Sequence, residues 1–156
     1  MPPDAVTVAV EDPRADPDTA RLLEERSAHS AALYPPESNH LLDLGELCGP
    51  DVIFWTARVG ENLAGTGALW LTGGGTAMVK SMFVRPAFRG RGVSKALLAA
   101  ILDEARRRGV DLLRLETGHD AEAAKALYRG AGFTECEAFP PYRPDPLSLF
   151  MQLRMR

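Results

Sequence analysis

Between Met82 and Lys95 the chain reads Met82-Phe83-Val84-Arg85-Pro86-Ala87-Phe88-Arg89-Gly90-Arg91-Gly92-Val93-Ser94-Lys95. A strand ends, two glycines turn the backbone, and a long helix begins. Amide N–H groups at a helix start lack intrahelical partners, and the helix dipole adds positive potential there. Glycines let a phosphate oxygen approach such amides closely. Arg89, Arg91 and Lys95 add full positive charges around the turn. These are the parts of a pyrophosphate cradle. Taken alone, the same residues serve equally as a tight strand-to-helix turn. A dinucleotide fingerprint would need a third glycine where Lys95 stands, and a Gly-x-x-x-x-Gly-Lys-Ser/Thr phosphate loop occurs nowhere in the chain. Nucleotide hydrolysis is therefore not expected.

The elements that must position this turn follow from local pattern. Val6–Val10 alternates as a first strand, and Asp16-Pro17 opens a helix that runs to Leu33 before Pro35-Pro36 stops it. A second helix is expected over about His40–Leu47, capped by Ser38 or Asn39. Three strand-like runs follow: Asp51–Val59, Leu63–Leu71 and Thr76–Val84, joined by Gly60-Glu61-Asn62 and Gly73-Gly74-Gly75. From Gly92 to Arg108 the apolar residues Val93, Leu97, Ile101 and Ala105 recur every four positions, and Gly109 ends the helix. Asp111–Glu116 then predicts a strand parallel to its predecessor, because a helical crossover intervenes. Asp120 is placed to cap a helix over about Ala121–Ala131, and Phe133–Cys136 and Leu147–Leu153 close the chain as strands. The expected class is α/β (α+β): a seven-stranded, mostly antiparallel mixed sheet with a central parallel pair and about four helices. Residues 1–156 are expected to form a single domain.

Composition bounds the function. The chain has 156 residues, a formal charge of −3, 46% hydrophobic and 25% charged residues, as in soluble globular proteins. A slightly acidic chain offers no surface for nucleic acid, and no apolar run approaches a membrane span. Met1-Pro2-Pro3-Asp4-Ala5 lacks the order of a signal peptide, so a cytoplasmic location with free Cys48 and Cys136 is expected. His29, His40 and His119 sit at no metal-binding spacing, and no metal is expected.

Two motifs together carry a resemblance. Arg89-Gly90-Arg91-Gly92-Val93-Ser94 is similar to the Arg/Gln-x-x-Gly-x-Gly/Ala signature of the GNAT superfamily of acyl-CoA-dependent N-acetyltransferases. Ala124-Lys125-Ala126-Leu127-Tyr128-Arg129-Gly130-Ala131-Gly132-Phe133 resembles that family's second marker, Ala-x-x-Leu-Tyr-x-x-x-Gly-Phe. Their order and spacing also match, over about Val52 to Leu153, as in uncharacterised bacterial members. The resemblance implies the GNAT fold and acetyl-CoA as co-substrate. It also implies pantetheine pairing to the backbone of Met82, Phe83 and Val84, and a cradle formed by Arg89, Gly90, Arg91, Gly92, Val93, Ser94 and Lys95. Tyr128 would protonate the departing thiolate. There are two departures: Ser94 ends the signature, and Ala121 stands where many relatives carry asparagine.

The implied reaction is direct attack of an amine on the thioester in a ternary complex, which needs an oxyanion donor, a base and an acid. A backbone N–H near Phe83 or Val84 is the expected oxyanion donor. Some relatives carry a glutamate base where Met78 stands here. Glu116 is then the first candidate base, with an ion pair to Lys80 as its equal structural alternative, and Glu37 is the second candidate. Tyr34, Glu37, Ser38, His40, Lys80 and Tyr142 are candidates for contact with the acceptor, the loop from Phe139 to Ser148 acting as a stiff cover. Lys80 would favour an acceptor bearing a carboxylate. The expected acceptor is a small-molecule amine, and the chain a monomer or homodimer. Two alternatives are a protein or peptide N-acetyltransferase and a non-catalytic acyl-CoA-binding module.

Overall fold

A computed structural model of the protein describes residues 5–155. Seven strands form one sheet in the order β1-β2-β3-β4-β5-β7-β6. They are β1 (Val6–Val10), β2 (Val52–Val59), β3 (Asn62–Gly73), β4 (Thr76–Val84), β5 (Leu112–Gly118), β6 (Thr134–Cys136) and β7 (Ser148–Arg154). The helices are α1 (Pro17–Leu33), α2 (Leu44–Leu47), α3 (Val93–Arg107) and α4 (Glu122–Gly130). Only β4 and β5 pair in parallel, as the intervening helix α3 requires.

Local chemistry accounts for the helix ends. Asp16 accepts from the Asp18 amide to cap α1, with Pro17 in the first turn, and Pro35 follows the stop. Helix α2 is shorter than expected and starts later. Asp43, not Ser38 or Asn39, caps it through a reciprocal box with Glu46, while Pro36–Ser38 forms a separate 3-10 turn. Asp120 does not cap α4. Ala121 holds that position without a side-chain bond, and the Asp120 carbonyl accepts from the Glu122 amide instead.

The core lies on both faces of the sheet. Val93, Leu97, Leu98, Ile101 and Ala105 of α3 pack with Leu69, Val79, Leu113 and Met151, and Tyr128 of α4 joins this cluster. Leu22 and Leu23 of α1 pack with Leu47, Phe54, Leu63 and Ala68. Burying side chains of this size stabilises by about 1.5–3 kcal/mol each. No helix among the described residues is long and apolar enough to cross a membrane.

Two irregularities shape the sheet centre. Strands β4 and β5 pair only through Thr76–Met78 and Leu112–Arg114. Each then runs on, to Val84 and to Gly118, without pairing to the other, so a wedge opens between them. Within β4 the register to β3 slips between Lys80 and Phe83, where Ser81 and Met82 together oppose Gly67. Ser81 has φ 57°, in the left-handed region that non-glycine residues rarely adopt. Thr66 Oγ1 donates to the Ser81 carbonyl at 2.9 Å, and Arg26 donates to its hydroxyl at 2.7 Å. These bonds hold a bulge that re-aims the strand toward the wedge.

Candidate active site

One cleft of about 710 Å³ fills the wedge and runs along α1, β4, the start of α3, the end of β5 and α4. At one end lies the glycine turn. Gly90 and Gly92 have φ of 77° and 80°, so the turn requires residues without a Cβ penalty. A Cβ at either would meet nothing within 4 Å, so the space beside both is open to a ligand. Gly92 starts α3 without a side-chain cap, which leaves first-turn amides of the helix free to bind an anion.

Arg89, Gly90, Gly92, Val93, Ser94 and Lys95 all line the cleft; Arg91 does not. Arg91 instead stacks on Phe88, its guanidinium carbon 5.6 Å from the ring centre. Arg89 reaches back to the Val84 carbonyl at 3.2 Å and stands 6.0 Å from the Phe83 ring centre. Arg85 is drawn away from the cradle altogether. It pairs with Asp18 at 3.0 Å and Glu25 at 2.8 Å, which ties β4 to α1 and holds the Asp18 carboxyl down at about 2. Met82, Phe83 and Val84 line the middle of the cleft, just beyond the bulge.

Tyr128 projects from α4 into the same cleft, 5% exposed, edge-on to Phe133 with ring centres 5.6 Å apart. Burial, with the Glu116 charge adding to it, pushes its phenol well above the ordinary tyrosine value. The hydroxyl is therefore a protonated donor throughout the neutral range. Glu116 lines the cleft from β5. Burial raises its carboxyl above the usual range, and Ser148, His40 and Lys80 offset part of that rise.

The Lys80–Glu116 ion pair, the equal alternative to a basic role for Glu116, does not form. Lys80 donates to the His40 carbonyl at 2.9 Å and to the Tyr142 hydroxyl, and burial brings its ammonium down to about 8. Tyr34 and His40 line the cleft near it. Glu37 is exposed and outside the cleft. Ser38 is buried and donates to Asp145 at 2.5 Å. It pins the 3-10 turn to the loop before β7 rather than facing a ligand. Tyr142 also lies behind the cleft wall, packed between Phe139, Phe150 and His40 and reaching the site through Lys80 and His40.

Several residues escaped sequence reasoning, among them Arg26, His29 and Ser81. Arg26 and His29 line the cleft from α1, and Ser81 forms the bulge. On α1 the positions Leu22, Leu23, Arg26, Ser30 and Leu33 share one side at helical spacing, a signal that this side of the helix faces inward. Among the described residues no group of three His, Cys, Asp or Glu is placed to hold a metal ion.

Known proteins match this geometry along nearly the whole chain. The sequence pattern of the acetyltransferase (GNAT) family matches residues 19–133. The chain is 47% identical over 148 residues to the IAA acetyltransferase of Azospirillum brasilense, covering 94% of this chain and 96% of that protein. A structure from Klebsiella pneumoniae subsp. pneumoniae, assigned as an acyl-CoA N-acyltransferase, aligns with a TM-score of 0.79 at 32% identity. That alignment covers 98% of this chain and 99% of that one. The yncA protein of Salmonella typhimurium, solved with its cofactor acetyl-CoA, shares the fold with a TM-score of 0.74 at 22% identity, over 97% and 95% of the two chains. With its split β4–β5 pair, glycine turn and buried tyrosine all on one cleft, the chain belongs to the acetyltransferase (GNAT) family of acyl-CoA-dependent enzymes.

Proposed function

We propose that the cleft transfers the acetyl group of acetyl-CoA to the amine of a small molecule while both are bound. One observation carries this reading. The glycine cradle, Tyr128 and the Lys80–Glu116 pocket line a single continuous cleft, so donor and acceptor can meet without a covalent enzyme intermediate. The loop held by Ser38–Asp145 and Tyr142–Lys80 backs the wall of the acceptor end from behind, where it supports Lys80.

The cofactor fits the residues present. The open space over Gly90 and Gly92, the uncapped α3 amides, Arg89 and Lys95 suit a pyrophosphate. Met82, Phe83 and Val84 offer a strand edge that the splay from β5 leaves without a partner on that side, matching an extended pantetheine arm. When bound, acetyl-CoA supplies an activated thioester. Backbone N–H groups near Phe83 and Val84 would stabilise charge on the acyl oxygen. Glu116 takes a proton from the attacking amine, its raised pKa making it a stronger base than an ordinary carboxylate. The C–N bond forms first, and the C–S bond then breaks as Tyr128 would give its proton to the leaving sulfur. The proton taken by Glu116 would return to the Tyr128 oxygen through solvent. The net transfer is one proton from amine to thiol.

The test is thiol release from acetyl-CoA across a panel of amines. Release that depends on a small amine and saturates with it supports the reading. Tight acetyl-CoA binding with no release on any amine would identify a binding module instead.

A further inference from the structure

The acceptor end of the cleft holds a buried cation, Arg26, a half-buried one, Lys80, and one carboxylate, Glu116. Arg26 is 5% exposed and spends two donors, on Ser81 Oγ and on the Leu42 carbonyl, both at 2.7 Å. Its Nε is buried without a hydrogen-bond partner. Lys80 donates only to neutral oxygens, those of His40 and Tyr142. Among the described residues neither cation forms an ion pair with a carboxylate. Buried charge is costly unless an opposite charge and hydrogen bonds compensate it. Glu116, with a weaker contribution from Glu46, lowers the potential at Lys80 but leaves Arg26 without a matching anion.

The rim of the same end is apolar. Leu33 is 59% exposed and Leu41 36% exposed, and both line the cleft. Large apolar side chains left open at a cleft mouth mark contact with an apolar ligand group. The pocket thus offers one carboxylate, two cations that form no ion pair, and an apolar edge.

We propose that the acceptor is a free α-amino acid with an apolar side chain. This rests on the acetyl-transfer reading and narrows it. The acceptor carboxylate meets Lys80 and the Arg26 side, its amine meets Glu116, and its side chain lies against Leu33 and Leu41. A peptide N-terminus carries no carboxylate beside its amine, so it brings no ion-pair partner to either cation. The products are the N-acetyl amino acid and free CoA, with the amine proton delivered to sulfur.

The experiment compares leucine and phenylalanine with their amides and with the corresponding decarboxylated amines. Thiol release gives kcat/KM, and thermal shift in the presence of CoA gives binding without turnover. The acids should exceed their amides by about 100-fold in kcat/KM, the discrimination expected when an amide leaves a buried charge unmatched. Only the acids should raise Tm. Arg26 also holds the bulge through Ser81, so Lys80 is the cleaner position to change. Lys80→Met should collapse the preference to within about fivefold, mainly through KM for the acids, and Lys80→Arg should restore much of it. Amides or amines acetylated as well as the acids would overturn the proposal and leave acetyl transfer standing. Acetyl-CoA binding with every acid, amide and amine inert would overturn both.

Discussion

A Cβ on Gly118 would fall 1.7 Å from the Tyr34 hydroxyl and 2.8 Å from the ring carbon that bears it. The tyrosine after α1 therefore occupies the side-chain space of a residue at the end of β5, and both line the cleft. Burial and the nearby Glu116 and Asp120 charges raise the Tyr34 phenol, so it stands there as a neutral wall of the pocket.

Gly118→Ala should force that ring out of the wall. Overpacking of this kind costs about 1–3 kcal/mol, a fall of several degrees in Tm for a chain of this size. KM for the amine should rise about tenfold through lost positioning, with acetyl-CoA affinity unchanged. Adding Tyr34→Ala should restore Tm but not KM. A wild-type KM in Gly118→Ala would remove Tyr34 from the acceptor site.

The cradle makes a separate prediction. Gly92→Ala places a Cβ at φ 80° and into the open approach to α3. The backbone strain costs roughly 1 kcal/mol, and the methyl group blocks close approach to the amides. Acetyl-CoA affinity measured by calorimetry should drop about tenfold or more, and the amine KM should stay near wild type. Equal affinity would show that the turn holds no phosphate.

These two glycines also show what a sequence discloses. Gly92 was legible because its turn, its positive φ and the α3 start are set by neighbours in the chain. The same holds for Asp16-Pro17 at α1 and for the bounds of Thr76–Val84. Gly118 was silent, since the ring that excludes its Cβ comes from a distant helix end. Ser81 was silent too, because Thr66 and Arg26 impose its φ across the sheet. Nor did the sequence disclose that Arg85, four residues before Arg89, pairs with Asp18 and Glu25, far earlier in the chain. Place in the chain alone made Ser38 and Tyr142 candidates at the acceptor. Their long-range bonds to Asp145 and Lys80 make them supports behind it.

Tyr128→Phe tests the acid. Phenylalanine keeps the edge-on contact with Phe133, so Tm should hold while kcat falls by about 10- to 100-fold. Neither KM should move much, since the hydroxyl acts on the departing sulfur. Because burial raises the phenol, wild-type kcat should show no decline from Tyr128 ionisation up to the ordinary tyrosine range. Unchanged turnover in Tyr128→Phe across pH would eliminate it as the proton donor.

Glu116 couples activity to stability in opposite senses. Its folded pKa lies above the ordinary 4.5, chiefly through burial. Within that window the unfolded chain has released a proton that the folded chain still holds. Stability therefore falls as pH rises through the window, by the linkage of proton binding to folding. Above it the buried carboxylate is a standing cost, offset in part by Ser148, His40 and Lys80. Glu116→Gln removes that cost, so Tm above the window should rise and its pH dependence upward from 4.5 should flatten, as the linkage requires. Activity should move the other way. In wild type kcat/KM should climb with pH as the carboxylate ionises, and the variant should lose both that limb and about two orders of magnitude in rate. A variant that keeps the acid limb would mean that the amine gives its proton to another group. Glu37, exposed on a turn outside the cleft, is not placed to be that group.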